Sequence, residues 1–302
     1  MAAVHPIISR AIHAVEPDVF LQKRPSHIQS TSGKAYFAKV GSLDEVEQFI
    51  AEAEALKAMH LAAPGLAPRL VDLGVIAKDA AENDSDIGRP YFVSEYKNMS
   101  ALTDASAKRL AQRLATEMHA CKSTHGFGFA VPTFCGRTKQ DNGWYDSWEA
   151  CYDALLGGLL SKLEANGGFE ELCRKGNQVR KSVIPALLGP LAIQPVLLHG
   201  DLWSGNTGTD EGTGEPVIFD PSAYYGHNEA DLAIARIFGG FPRSFFTTYH
   251  QYLPKSEPED QYELRGDLYE LYHYLNHTFL FGKGYAGSSK AKMDKLLTAF
   301  PD

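Results

Sequence analysis

Apolar and polar positions alternate over "KAYFAKV" (34–40), which predicts a strand. Two further runs, "LVDLGVIA" (70–77) and "RPYFVSEY" (89–96), bracket the turn-rich, acidic "KDAAENDSDIG" and predict a hairpin. Between these strands the period changes to that of a helix. In "SLDEVEQFIAEAEALKAMH" the residues Leu43, Val46, Phe49, Ile50, Ala53, Leu56 and Met59 recur on one face, and Ser42 and Glu45 stand at capping-box spacing. A small antiparallel sheet with one packed helix is expected over residues 1–96.

After Tyr96 the texture becomes helical. Long amphipathic patterns cover "ASAKRLAQRLATEMHACKS" (105–123), "SWEACYDALLGGLLSKLEANGG" (147–168), "EELCRKGNQVRKSVIPALLG" (170–189) and a final "DQYELRGDLYELYHYLNHTFLFG" (260–282). Only "QPVLLHGD" and "EPVIFDP" interrupt this region, as two strand-like runs that each end at an aspartate. The expected architecture is therefore α+β in two lobes, residues 1–96 and a larger, mostly helical 97–302.

Composition narrows the function without naming it. The 302 residues are 44% hydrophobic, enough for a sizeable core. A net charge of −8, with no block of Lys and Arg, argues against a nucleic-acid partner. Cys121, Cys135, Cys151 and Cys173, at spacings of 14, 16 and 22, fit neither a zinc motif nor a dense disulfide framework, so reduced thiols are expected. The start of the chain lacks a signal-peptide pattern and no run reaches membrane-span length, so no membrane partner and a cytoplasmic location are expected. Sequons at Asn83, Asn98 and Asn276 are then chance matches. The oligomeric state is not legible.

"LLHGDLWSGN" (197–206) crowds polar groups onto the turn that follows an apolar strand. Asp201 precedes Asn206 by five positions and Asp220 follows within about twenty, the intervals of the catalytic loop and metal-binding aspartate of kinases. Phosphoryl transfer needs this division of labour: one carboxylate takes the proton of the attacking hydroxyl, while another, with a neutral oxygen ligand, holds Mg²⁺ on the ATP phosphates. The two carboxylates are expected at the ends of neighbouring strands. Upstream, Lys39 ends a strand where kinases place the phosphate-gripping lysine, and Glu52 borders the apolar face of the helix, where an inward carboxylate needs a cation.

"LLHGDLWSGN", "DPSAYYGHNEADLAIARIFGGFPRSFFTTYH" and "YHYLNHTFLFG" resemble the fructosamine kinases, or ketosamine 3-kinases, relatives of aminoglycoside phosphotransferases with a protein-kinase-like fold. The resemblance implies ATP and Mg²⁺ as cofactors, Asp201 as base, Asn206 and Asp220 as metal ligands, and Lys39 paired with Glu52 on the phosphates. It further implies Glu95, Tyr96 and Lys97 as the adenine-binding hinge, and phosphorylation of the 3-hydroxyl of ketosamines on lysine side chains or small amines, leading to deglycation. His199 and Asp231 are implied to brace the catalytic loop.

"GRTKQDNGWYDSW" (136–148) resembles a family stretch near the sugar, with Gln140, Asn142, Trp144 and Trp148 matching; it reads equally well as a helix-entry loop with core aromatics. Trp203 reads as the floor of the substrate site or as packing. Leu156 and Gly157 stand where the family commonly has Arg-Leu, which puts sugar preference in question, and an apolar Leu156 predicts that ribulosamine is favoured over fructosamine. The nucleotide-covering loop near "KRPSHIQSTSGK" has neither a glycine run nor a cysteine. No P-loop or G-x-S-x-G is present. His119, His273 and His277 are read as structural. An aminoglycoside-like small-molecule phosphotransferase and a catalytically silent nucleotide-binding module remain as alternatives.

Overall fold

The computed structural model describes residues 3–301. The chain opens with α1 (Pro6–Val15), followed by β1 (Leu21–Lys23), β2 (Ile28–Ser30), β3 (Ala35–Val40), α2 (Val46–Ala62), β4 (Leu70–Val75) and β5 (Pro90–Glu95). The five strands form one antiparallel sheet in the order β1-β2-β3-β5-β4, and β4 and β5 are the expected hairpin.

A strand's two-residue period sorts its side chains between the two faces. On β5, Tyr91 and Val93 join Ile7, Ile8, Ala11 and Ile12 of α1 in one core, while Phe92 joins Phe49, Leu56 and Met59 of α2 in another. The sheet thus carries a helix on each face, one more than expected. On β3, Tyr36 lies on the α1 side, which leaves Phe37 and Lys39 on the α2 side, toward the rest of the molecule. Two positions assigned to the apolar face of the α2 region, Leu43 and Ile50, are exposed. The capping box forms as expected, with Ser42 N–H donating to Glu45 Oε2 at 2.7 Å.

Past the hinge come β6 (Met99–Ser100), α3 (Asp104–Thr116), β7 (Phe134–Cys135), β8 (Thr138–Lys139), α4 (Trp148–Asn166) and α5 (Glu170–Gln178). A π-helical turn over residues 179–183 joins α5 to α6 (Ile184–Leu188), so the pattern read as one helix over 170–189 is three pieces. Then follow β9 (Val196–Leu198), β10 (Thr207–Asp210), β11 (Pro216–Ile218), β12 (Tyr224–Gly226), α7 (Asn228–Ile237), α8 (Arg243–Tyr252), α9 (Tyr262–Phe281) and α10 (Ala286–Ala299).

The strand-like runs that end at Asp201 and Asp220 are β9 and β11, but they are not partners. β9 pairs with β12, and β11 pairs with β10, which in turn pairs with β6. These edges, with the small β7–β8 hairpin, add five short strands where two were expected. α10 also follows the helix read as final. The second lobe packs α4, α7 and α9 around one large apolar core that is continuous with the α2 side of the sheet. No helix among the described residues is long and apolar enough to cross a membrane.

Candidate active site

The loop that carries Asp201 is shaped by hydrogen bonds within the protein. Asp231, in the first turn of α7, accepts the His199 N–H and the Gly200 N–H at 2.7 Å each. Its Oδ2 also meets His119 Nε2 at 3.2 Å, and His119 Nδ1 meets the Tyr249 hydroxyl at 2.7 Å. Burial alone would raise the Asp231 carboxyl; the His119 and His199 partners hold it below the ordinary aspartate value. His199 Nδ1 accepts from the Asp201 N–H at 3.3 Å, so its Nε2 carries the hydrogen donated to the Phe219 carbonyl at 3.0 Å. Burial lowers the His199 pKa and keeps the ring neutral, as that pattern requires.

The middle residue of "HGD" has to be glycine. Gly200 sits at φ 80, and a Cβ there would lie 2.3 Å from the Ser222 carbonyl oxygen. That close approach is what laces the loop to the segment carrying Asp220, through Ser222 N–H to the His199 carbonyl at 2.8 Å and Phe219 N–H to the Asn206 carbonyl at 3.0 Å. Asp220 itself has φ 53, an uncommon backbone state for a residue with a Cβ.

Asn206 Nδ2 donates to the Asp201 carbonyl at 2.9 Å and to Asp201 Oδ2 at 3.0 Å. Burial pushes the Asp201 carboxyl up to about 7; the Asn206 donor opposes the rise and the Asp220 charge adds to it. Among the described residues no protein donor engages Asn206 Oδ1 or the Asp220 carboxylate. A neutral amide oxygen beside a free carboxylate is a hard-oxygen donor pair, and it fits Mg²⁺.

From the other lobe, Lys39 Nζ reaches Glu52 Oε2 at 2.5 Å, and the ammonium lies 4.9 Å from the Phe49 ring centroid and 5.2 Å from that of Phe92. Burial raises the Glu52 carboxyl against the pull of Lys39. Lys39, Glu52, Asp201, Asn206 and Asp220 line one cleft of about 400 Å³. It adjoins a more apolar pocket of about 320 Å³, walled by Phe37, Leu56, Phe92 and Phe219 and edged by Glu95, Tyr96 and Lys97.

At that edge the Glu95 side chain is engaged by Arg69 (Nε to Oε1, 3.1 Å). Tyr96 stacks on His27 at 4.5 Å between ring centroids and its hydroxyl meets Ser26 Oγ at 3.2 Å, which folds the β1–β2 turn over the hinge. The Lys97 N–H has no protein acceptor among the described residues.

The structure does not bring every expected residue to the cleft. Gln140 and Asn142 are buried and turned inward: Gln140 Nε2 donates to the Tyr272 hydroxyl at 2.8 Å, and Asn142 Nδ2 donates to Thr133 Oγ1 at 2.6 Å. Trp148 is core, donating to the Tyr269 hydroxyl at 2.9 Å, and Trp144 packs near His125 outside the cleft lining. Leu156 is 0% exposed, so it touches no substrate and gives no basis for preferring ribulosamine. Gly157 makes room instead for Arg180, which pairs with Asp153 at 2.7 Å. Trp203 does line the cleft, edge-on to Phe238 at 5.6 Å.

The β7–β8 hairpin adds what the sequence reading missed. Its turn, Gly136 and Arg137, enters the cleft wall beside Asp201, where Arg137 is an exposed cation. Two contacts tie the hairpin to α2 across the lobes: Gln48 Nε2 to the Gly136 carbonyl at 3.1 Å, and Lys139 Nζ to Glu47 Oε2 at 2.7 Å. The available signal was a cation next to a turn glycine in "FCGRT", too short a pattern to place without the fold.

With this geometry in hand, likeness to known proteins becomes informative. The chain is 37% identical to a chloroplastic protein-ribulosamine 3-kinase of Arabidopsis thaliana over 274 residues, 90% of this chain and 78% of the relative. It is 43% identical to a ketosamine-3-kinase of Mus musculus over 164 residues, 54% of this chain and 51% of the relative. A solved structure from Thermobifida fusca, assigned to the fructosamine-3-kinases, superposes with a TM-score of 0.78 at 23% identity, covering 98% of this chain and all of that one. An aminoglycoside phosphotransferase shares the fold more distantly, with a TM-score of 0.60 at 13% identity over 96% of this chain and 98% of its own. The family model described as fructosamine kinase matches residues 23–299, and the chain belongs to that family.

Proposed function

We propose that the protein transfers the γ-phosphoryl group of ATP to the 3-hydroxyl of a ketosamine, the rearranged adduct of a sugar with an amine, carried on a lysine side chain or a small amine. One observation carries the reading: Lys39 and Glu52 from one lobe and Asp201, Asn206 and Asp220 from the other meet in a single cleft that runs into the apolar hinge pocket. The family's named activities, in the relatives that this chain matches over most of its length, agree with it.

In this reaction Asp201 accepts the proton of the 3-hydroxyl as its oxygen attacks the γ-phosphorus. The bond to the β–γ bridging oxygen breaks and ADP leaves. A carboxyl poised near 7 suits that proton transfer. Lys39, oriented by Glu52, holds the α and β phosphates, and the free Lys97 N–H receives the adenine edge between Phe37 and Phe219. Asn206 Oδ1 and the Asp220 carboxylate would hold Mg²⁺, which when bound neutralises triphosphate charge. Arg137 faces the same space and adds a donor for the transferred group. Trp203 offers an aromatic surface to the sugar. The product carries a leaving group beside its ketone, so its decomposition frees the amine. All four cysteines are free thiols, in keeping with a reducing compartment, the cytoplasm in this reading.

The test is to supply Mg·ATP with ribulosyl-lysine, fructosyl-lysine and an aminoglycoside in parallel, following ADP release and the position of the phosphate by phosphorus NMR. Phosphorylation at the 3-hydroxyl of a ketosamine is expected. Turnover of the aminoglycoside alone, or no turnover of any, overturns the assignment.

A further inference from the structure

Beside the catalytic base lie two side chains that phosphoryl transfer does not use, Cys135 and His273. Cys135, at the end of β7, Asp201 and His273 of α9 each offer one ligand atom, and these atoms lie within 4.8 Å of one another. His273 is 5% exposed, and its Nδ1 is buried without a hydrogen-bond partner. A buried ring nitrogen left unpaired is destabilising, so it calls for an explanation.

The hairpin that carries Cys135 is held in place from two sides. Asn276, one turn beyond His273 on α9, donates Nδ2 to the Cys135 carbonyl at 3.2 Å and accepts from Thr138 Oγ1 at 2.5 Å. Ser222 Oγ donates to the Phe134 carbonyl at 2.5 Å. The backbone on either side of the thiol is thereby fixed against α9 and against the segment that carries Asp220. Its chemistry differs from that of the Asn206 and Asp220 pair. Sulfur, imidazole nitrogen and one carboxylate oxygen form a borderline-soft set that favours zinc over magnesium, whereas two hard oxygens favour magnesium. Tetrahedral Zn²⁺, with bonds of about 2.0–2.3 Å, draws such ligands to roughly 3.5 Å apart, a contraction of about 1 Å from the upper limit here.

We infer that Cys135, Asp201 and His273 form an inhibitory site for a thiophilic divalent cation of the Zn²⁺ type, which silences the enzyme by taking the carboxylate oxygen that must accept the hydroxyl proton. Binding converts the Cys135 thiol to a thiolate and releases its proton to solvent, with no change of oxidation state. Of the three, Asp201 lines the cleft, which gives the ion its side of approach. The inhibition rests on Asp201 acting as the base; the binding does not.

Two measurements on the full chain separate these levels. The first is titration with Co²⁺, a spectroscopic surrogate for Zn²⁺, followed by the thiolate-to-cobalt charge-transfer band, together with Zn²⁺ competition against a chromophoric chelator. One ion per chain is expected, with the band lost in Cys135→Ser. Zn²⁺ affinity should fall at least about 100-fold in Cys135→Ser and in His273→Gln, since even outer-shell partners of a metal typically contribute about 10- to 100-fold. Thermal melts of each variant show whether it is folded.

The second is kinase activity at buffered free Zn²⁺ with Mg·ATP in excess, each variant normalised to its own zinc-free rate. Wild type should be inhibited over the range in which it binds, and both variants should resist by a similar factor. Absence of the charge-transfer band, equal inhibition of Cys135→Ser and wild type, or saturating Zn²⁺ with full activity would each overturn the inference. Full turnover by Asp201→Asn without zinc would instead remove Asp201 as the base, a distinct outcome.

Discussion

The turn that carries the proposed base and the turn proposed to cover the nucleotide are built to opposite specifications. From His199 to Asn206 the backbone is anchored by a buried carboxylate, a neutral buried histidine and two main-chain bonds to the Phe219–Ser222 segment. The β1–β2 turn, Arg24 to His27, has one internal main-chain bond, Arg24 N–H to the His27 carbonyl at 2.8 Å. Among the described residues it reaches the hinge through the exposed Ser26 hydroxyl and the His27 ring, both on Tyr96. Chemistry needs a base fixed to a fraction of an ångström, whereas nucleotide exchange needs a cover that lets go. Hydrogen-bond saturation in one turn and its scarcity in the other divide those tasks.

The comparison breaks most visibly at the base. Asp201→Asn keeps the shape of the loop but accepts no proton, and turnover should fall by about 10²- to 10⁴-fold while ATP affinity by calorimetry stays within a few-fold of wild type. Near-normal turnover would take the role from Asp201. Asp231→Ala attacks the frame instead of the chemistry. It strands the His199 and Gly200 N–H groups in a buried site, so denaturant unfolding should show a loss of about 3 kcal/mol or more, with kcat falling in the fraction that remains folded. Unchanged stability would mean that the loop is held by something else.

Arg137→Ala tests the hairpin tip. An exposed cation that meets the transferred group should contribute about tenfold to kcat and leave the melting temperature within error, whereas an effect on ATP affinity alone would place it on the nucleotide. The smallest effect belongs to the cover. His27→Ala removes one ring contact worth roughly 0.5–1.5 kcal/mol, so stopped-flow release of ADP should quicken by about 2- to 10-fold with kcat per bound nucleotide unchanged. A large loss of kcat would show that the cover helps set the chemistry and would dissolve the contrast.

What could be read in advance followed the same division. Lys39, Glu52 and the run from His199 to Asn206 were legible because each sits in a local pattern, a strand alternation, a helix face or a loop of fixed intervals, that survives without knowledge of the partners. Asp231 was legible only through the family resemblance, because its two acceptor roles join α7 to a loop far upstream. Gln140 and Asn142 show the limit: polar amides beside aromatics look like a sugar site, and only the fold reveals Thr133 and Tyr272 as their partners. β9 and β11 were each visible as apolar runs, but pairing is a property of what lies alongside, and β10 (TGTD) and β12 (YYG) carry no aliphatic run to announce them. α1 carried a readable apolar stripe, Ile7, Ile8, Ala11 and Ile12, whose destination on the free face of the sheet is decided by β5 far along the chain.

The ties from Gln48 and Glu47 to the β7–β8 hairpin give the molecule the mechanics of a clasped case. A body joined only along its spine swings open under thermal agitation; one also fastened at the front edge must first undo the fastening. Both ties are exposed, one a neutral hydrogen bond and one a surface ion pair, so together they resist opening by on the order of 1–2 kcal/mol. Ties of that size yield within ordinary fluctuations. Because Arg137 and Cys135 ride on the same hairpin, every release of the latch parts the α2 wall of the cleft from the two side chains that flank the base.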